Sequence, residues 1–138
     1  MRAACLIALA TTACVLPPVP LEPSPITKGA GKRPYEKAGV PLDSNCGERF
    51  QLAVTGVDEA EHEVAACHTV GNIMAASLVS SLAFGATAAS LGEYDRGPAF
   101  EVSIGLAVTA LAVGLVAAVI SNHHMRRAID VYNATIEP

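Results

Sequence analysis

Two stretches decide the fold: Thr69–Gly92, TVGNIMAASLVSSLAFGATAASLG, and Val102–Asn122, VSIGLAVTALAVGLVAAVISN. Neither contains Asp, Glu, Lys or Arg. Each reaches the roughly 20 residues that an α-helix needs to cross a hydrocarbon core. In lipid the backbone polar groups must be satisfied within the segment, so both stretches are expected as helices. Between them lies Glu93-Tyr94-Asp95-Arg96-Gly97-Pro98. Gly97 and Pro98 punctuate the chain, and Pro suits the first turn of the helix that follows. So short a link makes the two helices antiparallel neighbours. The expectation is an all-α protein: a transmembrane antiparallel two-helix hairpin over 56–138, with spans near 69–92 and 102–122.

Composition agrees with membrane helices. Half of the chain is apolar (51%), yet it holds no Trp and three each of Phe and Tyr. Ala, Val, Leu, Gly and Ser make up the two stretches, and small residues let helix backbones approach closely in lipid. Ser77, Ser81, Gly85 and Ala89 recur every four residues; Ala110, Gly114 and Ala118 do so on the second helix. These are the expected packing stripes, serving the hairpin or a homo-oligomer. The formal net charge of −4 is mild, and no basic face with aromatic residues appears. Nucleic acid is therefore not an expected partner; membrane lipids and an envelope protein are.

Both helices extend beyond the apolar stretches. Thr55 and Asp58 have the spacing of a capping box, so the first helix is expected to start near Thr55. Asp58, Glu59, Glu61 and Glu63 crowd its first turns, where the helix dipole favours negative charge. The second helix runs on through Asn122-His123-His124-Met125-Arg126-Arg127. Folding the hairpin about Asp95 sets residue 63 opposite residue 127 and residue 68 opposite residue 122. Glu61 or Glu63 should then pair with Arg126 or Arg127, which fixes register more than stability because exposed pairs contribute at most about 1 kcal/mol.

Outward from the hairpin towards the N-terminus, residues 44–55 read as a turn segment. Before them, 14–43 holds seven of the nine prolines. Proline fixes φ and lacks a donor, so this segment is expected as a disordered Pro-rich N-terminal tether. Residues 1–13 combine Arg2, a short apolar run and small residues in a signal-peptide pattern. Thr12-Ala13-Cys14 places small residues directly before a cysteine and resembles the lipobox of bacterial lipoproteins. That resemblance implies that Cys14 becomes the first mature residue and carries diacylglycerol and an acyl chain. It implies a bacterial cell membrane, the inner one because outer-membrane spans are normally barrels, with the extramembrane parts in the periplasm or outside.

With Cys5 in the signal and Cys14 lipidated, Cys46 and Cys67 remain. Outside the cytoplasm they could form a disulfide, closing a loop of about 20 residues and contributing about 3 kcal/mol in the loop-entropy model. His62, His68, His123 and His124 fall in the same zone. Folding the hairpin could bring His68 near His123 and His124, a candidate metal site for zinc, nickel or copper. Their spacing is not the i, i+3 or i, i+4 of paired helical ligands. No nucleophile elbow, phosphate loop or paired-Cys motif is present, so no catalysis is expected. The expected role is structural or interactive. Alternatives are an oligomeric pore with Ser77, Ser80, Ser81, Thr87 and Thr109 along a polar path, and a metal-responsive sensor. Orientation has two opposed indicators. Export of the N-terminus puts both helix extensions outside, whereas the positive-inside rule applied to Arg126 and Arg127 puts both termini inside.

Overall fold

The computed structural model describes residues 17–29, 35–44, 46–92 and 97–137. It is mostly helical. Helix α1 spans Glu48–Val54, α2 Asp58–Gly92 and α3 Pro98–Ile136. Strands β1 (Ile26–Lys28), β2 (Tyr35–Lys37) and β3 (Val40–Pro41) precede them. At 1.5 Å per residue, α2 and α3 are about 50–60 Å long, well beyond the roughly 30 Å of a hydrocarbon core.

Both are long and apolar enough to cross a membrane. Their apolar side chains face outward rather than into a core: Val79, Leu82 and Val119 are 67%, 76% and 71% exposed. Contacts between the helices run in opposite senses. Gly92 lies against Phe100 and Gly114 against Ser77. Ser81 donates to the Ala107 carbonyl at 2.9 Å, and Ser121 to the Cys67 carbonyl at 3.3 Å. Glu63 meets His124 and Arg127.

Of the expected stripe residues, Gly114 is buried, Ser77, Ser81, Gly85, Ala110 and Ala118 are half-buried, and Ala89 is exposed. On α3, Ser103, Gly114, Ala117, Ser121, Met125, Ala128, Ile129 and Tyr132 are buried; on α2, Ala60, Glu63, Val64, Cys67 and Ala88. From Gly114 to Tyr132 the steps along one face are three, four, four, three and four, close to the 3.5-residue period of a coiled-coil seam. A row of every fourth residue drifts about 40° per step around a helix of 3.6 residues per turn. By Ala89 the row has left the seam; Ala89 is exposed and Ala88 is buried. Ala117 is buried where Ala118 is half-buried, and Ala110 and Gly85 are half-buried at the margin.

The core sits at one end of the helix pair. Val19, Ile26, Leu42, Phe50, Ala53 and Val54 pack there on Ala60, Val64, Met125, Ala128, Ile129 and Tyr132. This head corrects the expectation of an all-α chain with a disordered tether. The strands form an antiparallel sheet in the order β1-β2-β3. Prolines bracket the strands: Pro25 precedes β1, Pro34 precedes β2 in sequence, and Pro41 closes the edge strand β3, where no donor is needed. Ala38 and Gly39 link β2 to β3 with φ of +49° and +77°, the two left-handed residues of a type I′ hairpin turn.

Residues 44–55 are likewise more than a turn. Phe50, Ala53 and Val54, at i, i+3 and i+4, give α1 a fully buried face. Asp43 Oδ2 accepts from the Arg49 N–H at 3.1 Å, satisfying a donor of the first turn. The Thr55–Asp58 box does not form. Thr55 bonds back to the Gln51 carbonyl, Gly56 turns the chain at φ +93°, and its N–H donates to Glu61 Oε1 at 2.7 Å. Helix α2 therefore starts at Asp58.

Candidate functional site

Two side chains, Asn133 and Lys37, clamp the strands and α1 to the helix pair, and a third, Arg49, ties α1 to the segments before it. Asn133 on α3 acts as a strand edge: the Ile26 N–H donates to its Oδ1 at 2.9 Å, and its Nδ2 donates to the Ile26 carbonyl at 3.0 Å. Lys37 on β2 is 2% exposed. Its Nζ donates to the Ala53 carbonyl at 2.8 Å and lies 4.9 Å from the centre of the Tyr132 ring. A cation there meets the negative end of α1 and an aromatic face together. Arg49 reaches the other way, donating to the Pro41 carbonyl at 3.2 Å and the Pro17 carbonyl at 2.7 Å.

A disulfide joins Cys46 to Cys67, with 6.0 Å between their Cα atoms. It ties the segment before α1 to the third turn of α2. Both cysteines are fully buried. The Cys67 sulfur lies 3.3 Å from Ser121 Oγ, so the staple sits where α2 and α3 touch.

One turn before Cys67, Glu63 is the charged centre of the junction. Its Oε2 is 2.6 Å from His124 Nδ1 and its Oε1 is 2.9 Å from Arg127 Nε. The bond from His124 and the neighbouring Arg127 hold the Glu63 carboxyl below the usual glutamate range, against the opposing effect of burial. Arg127 also reaches Glu59 at 3.6 Å. Of the four side chains expected to pair, Glu63 and Arg127 meet. Glu61 instead caps Gly56, and Arg126 makes no ion pair among the described residues but lines a hollow beside Lys28, Tyr35 and Asp130. Two residues on α2 and one on α3 separate the side chain that pairs from the one that does not, and a sequence register cannot be read that finely.

The His123 and His124 rings meet edge to face, with centroids 6.0 Å apart. His124 is committed to Glu63, His123 is exposed, and His68 lines a cleft between α1 and α2. Among the described residues no three His, Cys, Asp or Glu side chains converge as a metal ion requires. That cleft has a volume of about 520 Å³ and is bounded by Glu48, Gln51, Leu52, Glu61, Val64, Ala65, His68 and Thr69, among others. It was not legible in the sequence, because it exists only where α1 leans on α2. Among the hydroxyls set along a polar path, Ser81 bonds across to α3, whereas Thr87 and Thr109 bond their own helix and are exposed, as is Ser80. Cys14 and the signal segment 1–13 lie outside the described residues, as does most of the link around Asp95.

No protein-family model, curated protein or solved structure matches this chain.

Proposed function

We propose that this chain is a lipoprotein of a bacterial cell envelope, held in the inner membrane by an antiparallel hairpin of α2 and α3 and by lipid on Cys14. Its head stands outside the cytoplasm, and its role is structural: it presents that head to an envelope partner. The carrying observation is the buried Cys46–Cys67 disulfide in a head built on the ends of two apolar helices. Disulfides persist in oxidising compartments, which favours export over the orientation suggested by Arg126 and Arg127.

The test is metabolic labelling with a fatty-acid analogue in cells that express the chain or its Cys14→Ala variant. Label that depends on Cys14 is expected. An unlabelled wild-type chain removes the lipoprotein assignment and leaves a plain two-span protein. The exposed hydroxyls of Ser80, Thr87 and Thr109 favour one second reading, a pore made from several hairpins. Cross-linking in native membranes separates the two: a discrete ring of four or more copies supports the pore, and a single copy bound to another protein supports the anchor.

A further inference from the structure

We propose that Arg49 clips the N-terminal segment to the membrane-facing end of the head, so that a lipid on Cys14 enters the bilayer directly beside α2 and α3. This rests on the lipoprotein assignment proposed above. A link of three residues takes the place of a long tether, and the head lies on the membrane surface.

The first ground is the clip itself. The Arg49 guanidinium donates to the Pro17 carbonyl at 2.7 Å and to the Pro41 carbonyl at 3.2 Å. Two residues after Pro17, Val19 is buried and belongs to the core that holds Ile26, Leu42 and Phe50. The chain is therefore joined to the head from Pro17 onward, not first at β1. Pro17, Pro18 and Pro20 have a fixed φ, so ordering this stretch costs little backbone entropy. Only Val15 and Leu16 separate it from Cys14.

The second is height above the bilayer. Arg49 is the second residue of α1 and the third after Cys46, whose bond to Cys67 holds the two Cα atoms 6.0 Å apart. Cys67 stands two residues before Thr69, where the charge-free stretch begins, a rise of about 3 Å. From Cys46 the chain leads away from the bilayer, since Gly56, beyond α1, bonds Glu61. One further turn sets Arg49 roughly 6–10 Å from the start of the charge-free stretch. The headgroup layer occupies roughly 5–8 Å beyond the hydrocarbon core, and three residues span at most about 11 Å. Cys14 thus reaches that layer with the clip closed.

The third is what the lipid meets. The acyl chains of one leaflet are about 15 Å deep, or about ten residues of helix. Over that depth α2 and α3 present Ile73, Val79, Val116 and Val119, all exposed, and no charged residue. The helix pair offers an apolar flank to acyl chains that enter within reach of the clip.

The experiment places a photoreactive benzoylphenylalanine at position 16 of the full chain and irradiates native membranes. Mass spectrometry maps the cross-links, and a fatty-acid analogue reports lipid on Cys14 in the same sample. Lipidated protein should cross-link from position 16 to the segment 40–50 of its own head. Arg49→Met keeps the aliphatic stem and loses the donors. It should lower that yield about twofold, because one hydrogen bond of ordinary net strength holds about five clipped chains to each released one. Alkylation before reduction checks its fold: absence of a reactive thiol reports an intact Cys46–Cys67 staple. Lipidated protein that links only to lipid or to other proteins overturns the clip, as does an unchanged yield in stapled Arg49→Met. Protein without lipid on Cys14 overturns the lipoprotein assignment, and the placement of its lipid falls with it.

Discussion

At the scale of single residues, the junction depends on buried charges that have found partners. Glu63 is ionised between His124 and Arg127, and its carboxyl titrates below the ordinary glutamate value. A depressed acid stabilises the fold in full above the unfolded value, about pH 4.3, and loses that contribution as pH falls through the native value. Stability should therefore decline on acidification from about pH 5 downward, and Glu63→Gln should flatten that decline. Unfolding followed by circular dichroism from pH 6 to pH 3 reads it, and equal slopes for the two proteins would falsify the assignment. Lys37 makes a second prediction. Removing its side chain leaves a cavity and an unpaired Ala53 carbonyl, so Lys37→Ala should destabilise by about 2–4 kcal/mol. Lys37→Met keeps most of the volume and should cost clearly less. Charge and register narrowed the pair to Glu61 or Glu63 with Arg126 or Arg127, since acidic and basic extensions face each other once the hairpin is folded, but they did not single out Glu63 and Arg127. Lys37 and Asn133 were not legible at all. A lysine among prolines and glycines has the composition of a solvated linker, and its burial depends on a sheet that composition conceals.

At the scale of elements, the seam between α2 and α3 turns on whether its period is 3.5 or 4. Ala88 and Ala89 separate the two, because only Ala88 is buried (4% exposed). Ala88→Leu should destabilise by about 1–3 kcal/mol through overpacking, and Ala89→Leu should be close to neutral. Thermal unfolding in detergent measures both, and the reverse order would restore the every-four stripe. Apolar length made the two helices legible, because no other element accommodates so many charge-free residues. The phase of the seam was not legible, because an Ala-rich helix offers small residues on every side. Helix α1 was hidden for a related reason: its buried face is short and its capping acid, Asp43, stands four residues before Gly47, outside the usual capping box. The sheet makes a prediction of its own. Ala38 occupies the left-handed region at φ +49°, which disfavours a residue with a Cβ by about 1–2 kcal/mol. Ala38→Asn suits the type I′ turn and should raise stability by about 0.5–1 kcal/mol, seen as a higher melting temperature with the disulfide intact.

At the scale of the whole molecule, the proposed anchoring raises the question of which side of the membrane would carry the head, and the two indicators rest on different physics. The bias of Arg126 and Arg127 is an energy of insertion. It acts while the helices enter the bilayer and amounts to a few charges near one end. The Cys46–Cys67 bond depends instead on redox chemistry, because disulfides form and persist in oxidising compartments. Arg127 is also bound to Glu63 and Glu59, so much of its charge is neutralised within the head and counts less towards the bias. Alkylating the chain in intact cells with a large maleimide, before and after reduction, should give no shift at Cys46 and Cys67 until the bond is reduced, and a shift at both afterwards. Two reactive thiols before reduction would place the head in the cytoplasm, with both termini inside. The same bond sets the stability of the head. It closes a loop across a separation of 21 residues, so Cys46→Ser with Cys67→Ser should remove about 3 kcal/mol. That loss should fall on α1 and the strands, which depend on the staple and a small core. The apolar lengths of α2 and α3, held by their own backbone bonds and, on the proposed anchoring, by lipid, should keep their helical signal.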